Sequence, residues 1–147
     1  MNEKNLCWIG YITQLRALKA ELTLAFGLET DTFRNAKDGL EAIAKKDYPL
    51  ILVNDIVPAG YLELPDNISL DDGHKIGSYV IQKIREQDKV TPIIVNHCGS
   101  FIGYRPEKAI KMYLDSGATE CFDWYGPNDS LGDFSRMIGK HLKISRG

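Results

Sequence analysis

Short apolar runs alternate with amphipathic segments along this chain. The clearest run, Leu50 to Val53, follows a proline and ends at the polar pair Asn54-Asp55. A continuous apolar run of this length, bounded by breakers, is typical of a strand buried on both faces, as in a parallel sheet covered by helices. Because open α/β sheets place their sites at the carboxyl ends of strands, Asn54 and Asp55 mark the candidate site.

Between these runs, apolar residues recur at the 3.6-residue period of a helix. Leu18, Leu22 and Phe26 form one such stripe, with Thr13 as a predicted N-cap and Gly27 as a predicted end. The pattern predicts strands near 6–9, 30–34, 50–53, 92–95 and 119–124, and helices near 13–26, 38–46, 76–86, 106–116 and 130–142. Asp38 is the predicted N-cap of the second helix, and Asp129 or Ser130 that of the last.

This order of elements, written (βα)5, predicts an α/β fold. Strands that alternate with helices form a parallel sheet with right-handed crossovers and helices on both faces. A closed barrel of this type needs eight units, so an open, doubly wound, five-stranded sheet is expected. No linker or repeat divides the 147 residues, and we expect one domain, 1–147.

Composition excludes several classes of function. The formal net charge is -2 and no long basic run is present, which argues against a nucleic-acid-binding surface. No apolar stretch has membrane-spanning length, and the polar start is not a signal peptide. We therefore expect a cytoplasmic protein with no membrane partner. Cys7, Cys98 and Cys121 have no zinc-type spacing and are expected to be reduced and buried.

Several segments together resemble the receiver (CheY-like) domains of bacterial two-component response regulators. Ala36 to Ile43 is similar to the family pattern A-x-D-G-x-E-A-L, and Pro58 ends the central strand as in that family. Other matching positions are Gly73, Ile84-Arg85, Pro92 to Val95 and Gly117-Ala118. The resemblance covers nearly the whole chain, and it implies a flavodoxin-like fold with strand order 2-1-3-4-5.

The resemblance also implies a phosphoryl-transfer site, and this chain departs from it. In the family, two acidic residues after the first strand and an acceptor aspartate hold Mg²⁺, while a Ser/Thr and a Lys bind the phosphoryl oxygens. The matching positions here are Gly10, Tyr11, Asn54, His97 and Trp124, with Tyr125 at the following proline. A neutral amide is a poor nucleophile, and these residues lack the hard oxygen ligands that Mg²⁺ prefers. We therefore expect no catalytic residue, no metal and no cofactor.

Asp55 supports an alternative interpretation. A one-residue bulge would bring it to the acceptor position, with Mg²⁺ held by atypical ligands such as Asp71 and Asp72 of a later loop. The chain would then be a phosphorylatable response regulator. We favour the opposite arrangement, because side chains alternate along a strand and Asp55 should point away from Asn54.

Two loops, Tyr61 to Asp72 and Gly99 to Arg105, are longer than their counterparts in receivers. They follow the third and fourth strands, at the end of the sheet where the family's site lies. They either cover the vacant site or are tolerated surface insertions. A further alternative is a small flavodoxin-like enzyme or ligand-binding protein that uses both loops. His97-Cys98 gives that alternative little support, since adjacent side chains on an extended segment point oppositely.

Aromatic residues suggest where a partner would bind. In receivers, the face formed by the fourth helix, fifth strand and fifth helix is the partner and dimer surface, and Tyr113, Trp124 and Tyr125 are assigned to it here. For Trp124 and Tyr125, filling the vacant site is an equally favoured role. The sequence thus predicts a phosphorylation-independent pseudo-receiver, a non-enzymatic interaction module in bacterial two-component signalling. Its partner would be a histidine kinase, an output protein or a second copy of the chain.

Overall fold

The computed structural model describes residues 5–10, 15–97, 106–123 and 130–142. Within them, five strands alternate with five helices, as the apolar pattern predicts. The elements are β1 (Leu6–Ile9), α1 (Leu15–Phe26), β2 (Thr30–Phe33), α2 (Ala36–Lys45), β3 (Ile51–Asn54), α3 (Gly73–Gln87), β4 (Ile93–His97), α4 (Pro106–Ser116), β5 (Glu120–Asp123) and α5 (Leu131–Leu142). None of the described helices is long and apolar enough to cross a membrane.

The five strands form one parallel sheet in the order β2-β1-β3-β4-β5. This confirms the predicted open, doubly wound, flavodoxin-like fold. Val53 of the central strand pairs with Ile9 on β1 and with Val95 on β4. Because these three strands are in step, the residues that follow, among them Asn54 and its partner Asn96, meet at one edge of the sheet.

The central strand separates two hydrophobic cores, because successive side chains point to opposite faces. Ile51 and Val53 belong to a first core, which includes residues of α2, α3 and α4. Leu50 and Leu52 belong to a second core, which includes residues of α1 and α5. These four side chains are at most 1% exposed, so the prediction of a strand buried on both faces is confirmed.

The helix ends correct one predicted cap. Gly27, at φ 67°, ends α1 as expected, whereas the predicted cap Thr13 lies outside the described residues. Asp38 is not the N-cap of α2, since Asn35 takes that position in an extended conformation and its Oδ1 accepts a hydrogen bond from the Asp38 N–H. An asparagine oxygen satisfies the free donors of the first turn as well as an aspartate does, and here it begins the helix earlier.

Two further helices refine the prediction. Ser130 caps α5, with its Oγ accepting from the Asp133 N–H at 3.0 Å. The apolar spacing along residues 106–116 predicts Leu114 on the buried face of α4, but its side chain is 44% exposed. The buried stripe of α4 passes through Ala109 and Tyr113, four residues apart, and the next residue lies about 100° further round the helix, which turns it toward solvent.

Candidate functional site

Asn54, the last residue of β3, is held by two hydrogen bonds at the carboxyl end of the sheet. Its Oδ1 accepts from Trp8 Nε1 at 2.7 Å and from Asn96 Nδ2 at 3.2 Å. The three side chains come from the adjacent strands β1, β3 and β4, and all are at most 1% exposed. Since both donors reach the same oxygen, the carbonyl side of the amide is fixed and its Nδ2 points elsewhere.

Gly10 lies against the other side of this amide. A Cβ atom added to Gly10 would lie 2.7 Å from Asn54 Cβ and 3.0 Å from its Nδ2, closer than side-chain atoms normally approach. The backbone of Gly10 has φ 115°, a conformation that favours glycine. Buried Asn54 Nδ2 has no hydrogen-bond acceptor among the described residues. Gly10 resembles the position of the family's first acidic ligand. The space that a side chain at Gly10 would occupy is taken by the amide of Asn54.

These contacts leave no fit for Mg²⁺ in the described part of the site. The Asn54 oxygen is already occupied by two N–H donors, and Gly10 offers no side-chain ligand. Asp72, suggested as a substitute ligand, instead caps α3 by accepting from the Lys75 N–H. Among the described residues, no group of three or more histidine, cysteine or acidic side chains is arranged to hold a metal ion. The described residues that contact the Asn54 amide, Trp8, Asn96 and Gly10, carry no charge, and a dication needs anionic oxygens.

Asp55 is buried, with only 3% of its surface exposed. Its backbone N–H donates to the Asn96 carbonyl, which continues the sheet one residue past β3. Val53 and Val57, two residues to either side, both belong to the first core. Alternation therefore directs the Asp55 side chain toward the face of α2, α3 and α4, away from Asn54 and Trp8.

Tyr113 of α4 joins the end of β3 to the start of α3. Its hydroxyl donates to the Asp55 carbonyl oxygen at 2.6 Å and lies 2.9 Å from Nδ1 of His74. A phenol has one proton, and here it goes to the carbonyl, so His74 Nδ1 must carry the proton that it shares with Tyr113. The assignment of Tyr113 to an interaction face is wrong, because its side chain is 0% exposed and these two bonds hold it in the core.

The other predicted site residues are only partly placed by the structure. Tyr11, Trp124 and Tyr125 lie outside the described residues, so their roles stay predictions. His97 ends β4 and its backbone pairs with Asp123, but its side chain lies outside the described part. Residues 99–105 of the second long loop also lie outside it.

Trp8 and Asn96 were not singled out from the sequence, although both contact the acceptor-position residue. Trp8 is one of four apolar residues in a row, and its indole N–H gives it a hydrogen-bond donor that Leu6 and Ile9 lack. The sequence did give a signal for Asn96, because it is a polar residue that follows three apolar residues. In the structure it pairs directly with Asn54. A polar residue at the buried end of a strand needs a partner, and the next strand offers the nearest one.

The described thiols are not nucleophiles. Burial, together with the negative charge of Asp31, raises the pKa of Cys7 to about 12. Burial, together with Glu120 and Asp123, raises the pKa of Cys121 to about 12. Both are therefore protonated at neutral pH, and the thiolate is the reactive form. Cys98 lies outside the described residues.

Comparison with known proteins gives matches among solved structures. No protein-family model matches the sequence, and no curated protein matches it. A two-component response regulator from Clostridium difficile is 20% identical with a TM-score of 0.69, over 99% of this chain and 100% of that one. The chain has the receiver-domain fold. A CheY-like receiver domain protein from Methanospirillum hungatei JF-1 is 19% identical with a TM-score of 0.67, over 96% and 94%.

A third similar structure shows what the site holds in another protein. It is the receiver domain of a sensor histidine kinase from Pseudomonas aeruginosa, with a magnesium ion coordinated in its active-site cleft. It is 12% identical to this chain with a TM-score of 0.69, over 97% of this chain and 100% of that one. Likeness at these identities establishes the common fold, and the chemistry of this chain has to be read from its own residues.

Proposed function

We propose that this chain is a pseudo-receiver that works without phosphorylation, as a protein-interaction module in bacterial two-component signalling. The partner is a histidine kinase or an output protein that recognises a fixed surface. The chain performs no catalysis of its own and needs no Mg²⁺ in this role.

One observation carries the proposal: the Asn54 amide is bound by Trp8 and Asn96 and packed against Gly10. Transfer to a receiver needs a carboxylate nucleophile and cations that neutralise the charge on the phosphoryl group. In this chain the acceptor position holds a neutral amide, and its oxygen is used by neutral donors. A Cβ at Gly10 would clash with this amide, so a ligand side chain at position 10 is incompatible with the packing.

The contacts of Tyr113 support a fixed conformation in this proposal. In a switching receiver, the end of the central strand must transmit a change at the acceptor to the distant face. Here Tyr113 is buried and binds both the Asp55 carbonyl and His74, which ties α4, β3 and α3 together. Opening this junction would leave a buried carbonyl without its donor, at a cost of about 1–3 kcal/mol. These bonds favour a single conformation over an equilibrium between two conformations.

The proposal is tested with the phosphoryl analogue beryllofluoride. We expect the backbone amide NMR signals of Asn54, Asp55 and Asn96 to stay unchanged when beryllofluoride and Mg²⁺ are added together. We also expect no mass increase with acetyl phosphate. An authentic receiver treated in parallel is the positive control. Acid-labile labelling that disappears in Asp55→Asn would overturn the proposal in favour of the phosphorylatable alternative.

An Asn54→Asp variant separates the acceptor from its surroundings. It restores a carboxylate where the family has one, but it leaves Trp8, Asn96 and Gly10 in place. We expect it to remain unlabelled by acetyl phosphate, because the described residues that contact position 54 supply no cation for catalysis. Rapid, Mg²⁺-dependent labelling of this variant would show that the rest of the site is competent and that only the acceptor has changed.

A further inference from the structure

The loop of residues 61–72 carries large apolar side chains in water. Among the described residues seven large apolar side chains are exposed, and three of them lie between the end of β3 and the start of α3: Ile56 at 38%, Tyr61 at 93% and Leu70 at 71%, the last two on this loop. Single exposed apolar residues are common and need no explanation. Three of them fall in the one connection between β3 and α3, and aromatic residues such as Tyr61 are favoured in the centres of interfaces.

The loop is anchored, although it contains no helix or strand. Leu62, Leu64 and Ile68 point inward and pack against the first hydrophobic core. The longer connection that contains the loop is closed at its base by a hydrogen bond from the Val57 N–H to the Gly73 carbonyl at 3.1 Å. Compact loops whose ends meet and whose own side chains fill the interior are frequently functional.

Its flanks are held as well. The Pro58 carbonyl accepts from the Ala36 N–H at 2.8 Å, which ties the start of the segment to the first turn of α2. Asp72 caps α3 at the other end. A surface that is already ordered loses less conformational entropy when a partner binds, so its exposed side chains contribute more of their energy to affinity.

The charge of the loop selects the kind of partner. It contains four acidic residues and no lysine, arginine or histidine, whereas the whole chain has a formal net charge of only -2. Glu63, Asp66 and Asp71 form no ion pair with any described residue. Their charge is therefore not neutralised within the described fold and remains available to an incoming cation.

This charge argues against two other occupants. In a symmetric dimer, a twofold contact through this surface would place one acidic loop against the other, and like charges across an interface are repulsive. Nucleic acid would bring phosphates to the same carboxylates, which is also repulsive. A basic protein segment gains from both features of the surface, since its cations meet the carboxylates and its apolar side chains cover Tyr61 and Leu70.

We propose that Ile56 and the 61–72 loop form a docking surface for a basic, apolar segment of a partner protein. The apolar anchors are Ile56, Tyr61 and Leu70, and Glu63, Asp66 and Asp71 attract the lysines and arginines of the partner. This inference rests on the proposed function as an interaction module and names the surface and the chemistry of its partner.

Random linear peptides displayed on phage test this surface. The full chain is the bait, and peptides that also bind a Tyr61→Ser/Leu70→Ser variant are removed. We expect the retained peptides to be rich in lysine or arginine together with leucine or aromatic residues. A synthesised peptide from this pool should lose tenfold or more in affinity for the double variant. Its amide chemical-shift changes on the labelled protein should centre on residues 56–73.

Two further variants separate apolar from charged contributions. Glu63→Gln/Asp66→Asn/Asp71→Asn should weaken the same peptide severalfold. It should also reduce the loss of affinity seen when salt is raised from about 0.05 to about 0.5 M, because exposed charges are screened at high ionic strength. Leu24→Ser/Val90→Ser removes two equally exposed apolar residues elsewhere, at 84% and 88%, and should leave binding unchanged. All these positions are exposed, and circular dichroism should show unchanged folding.

Several outcomes would overturn the inference: no enriched peptide, peptides without basic residues, equal binding by the double variant, or shifts centred on α4, β5 and α5 instead. The beryllofluoride experiment on the same protein is independent of these results. A response to beryllofluoride with peptide docking intact would overturn the proposed function alone. If no peptide docks on the unaltered chain and beryllofluoride gives no response, the docking surface alone is overturned.

Discussion

The two ends of the sheet use polar groups in opposite ways. At the amino end, charged side chains are surrounded by partners: the Arg85 guanidinium donates to the carbonyls of Gly117, Thr91 and Asp88 at 2.8, 2.8 and 3.1 Å. At the carboxyl end, the groups that meet at Asn54 are an indole and two amides, all neutral. In the same parallel sheet, ionised groups close the fold at the amino end, whereas at the carboxyl end the described side chains that bind the Asn54 amide are uncharged.

A second charged centre strengthens the contrast. Asp31, near the start of β2, accepts hydrogen bonds from Asn5 at 2.9 Å, Lys46 at 3.0 Å and Tyr48 at 2.9 Å. Burial by itself would raise the pKa of this carboxyl group, but the three donors outweigh it and hold the pKa below the usual value. At Asp31, the fold thus stabilises an ionised carboxylate with three donors. At Asn54, by contrast, two uncharged donors bind an uncharged amide.

The largest effect is expected at Gly10, where Gly10→Ala tests the packing of the carboxyl end. The new Cβ would overlap Asn54 and strain a backbone at φ 115°. Overpacking costs about 1–3 kcal/mol and the strained conformation a similar amount, so the free energy of unfolding should fall by about 2–5 kcal/mol. Gly27→Ala is the matched control, since φ is 67° but no atom lies within 4 Å. It should lose about 1–2 kcal/mol. Equal losses in urea denaturation would contradict close packing of Gly10 on Asn54.

Arg85→Lys tests the amino end. A lysine cannot reproduce the planar fork that reaches three carbonyls and Thr119 Oγ1, and part-buried acceptors would be left without donors. We expect a loss of about 2–3 kcal/mol in the free energy of unfolding. Arg136→Lys is the control, because that side chain is 75% exposed and pairs with Asp133 on the surface. It should change stability by less than about 0.5 kcal/mol. Similar losses for both variants would contradict a role of Arg85 in closing the amino end of the sheet.

Trp8→Phe measures the indole–amide hydrogen bond. The variant keeps an aromatic ring in the second core but removes the N–H that binds Asn54, so we expect a loss of about 1–3 kcal/mol. In a double-mutant cycle with Asn54→Leu, part of this loss should disappear, with a coupling free energy of about 1 kcal/mol. Strictly additive losses would mean that the 2.7 Å bond contributes nothing to stability.

The smallest effect is expected from pH at Asp31. Its pKa is lower in the folded chain than the usual 3.8, so the folded state binds a proton less readily than the unfolded state does. The stabilisation is therefore present above pH 3.8 and is lost as the pH falls through the folded pKa. Asp31→Asn should lower stability by about 1 kcal/mol or less at neutral pH and flatten the acid side of the stability profile. Tyr48→Phe, which removes one donor, should flatten it partly. An unchanged acid limb in Asp31→Asn would exclude this contribution.

The fold was largely predictable, because its signals are local. Leu50 to Val53 is continuous and bounded, and Gly27 and Gly117 stop helices where the backbone has positive φ. The errors arose where two local solutions compete. Asn35 and Asp38 are both good caps, and the choice depends on which residue the incoming backbone leaves extended.

The site was predictable only in part. The position of Asn54 followed from the strand and from the resemblance to receivers, but its partners did not. Trp8 is 46 residues and Asn96 is 42 residues away along the chain. Tyr113 was expected at a partner surface, since aromatic residues are frequent there. It is buried instead, because its hydroxyl binds the carbonyl of Asp55, which is 58 residues away along the chain.

By itself, the sequence determined the alternation of strands and helices and the two-sided burial of β3, because periodicity and breakers act between neighbours along the chain. The strand order 2-1-3-4-5 and the place of Asn54 at the acceptor position came from the resemblance to receivers. The tertiary structure decided which atoms meet that amide, that Tyr113 is clamped inside, and that the 61–72 loop turns three apolar residues inward and leaves Tyr61 and Leu70 in water. Such contacts form between side chains that are far apart along the chain, so the local pattern of neighbouring residues does not predict them.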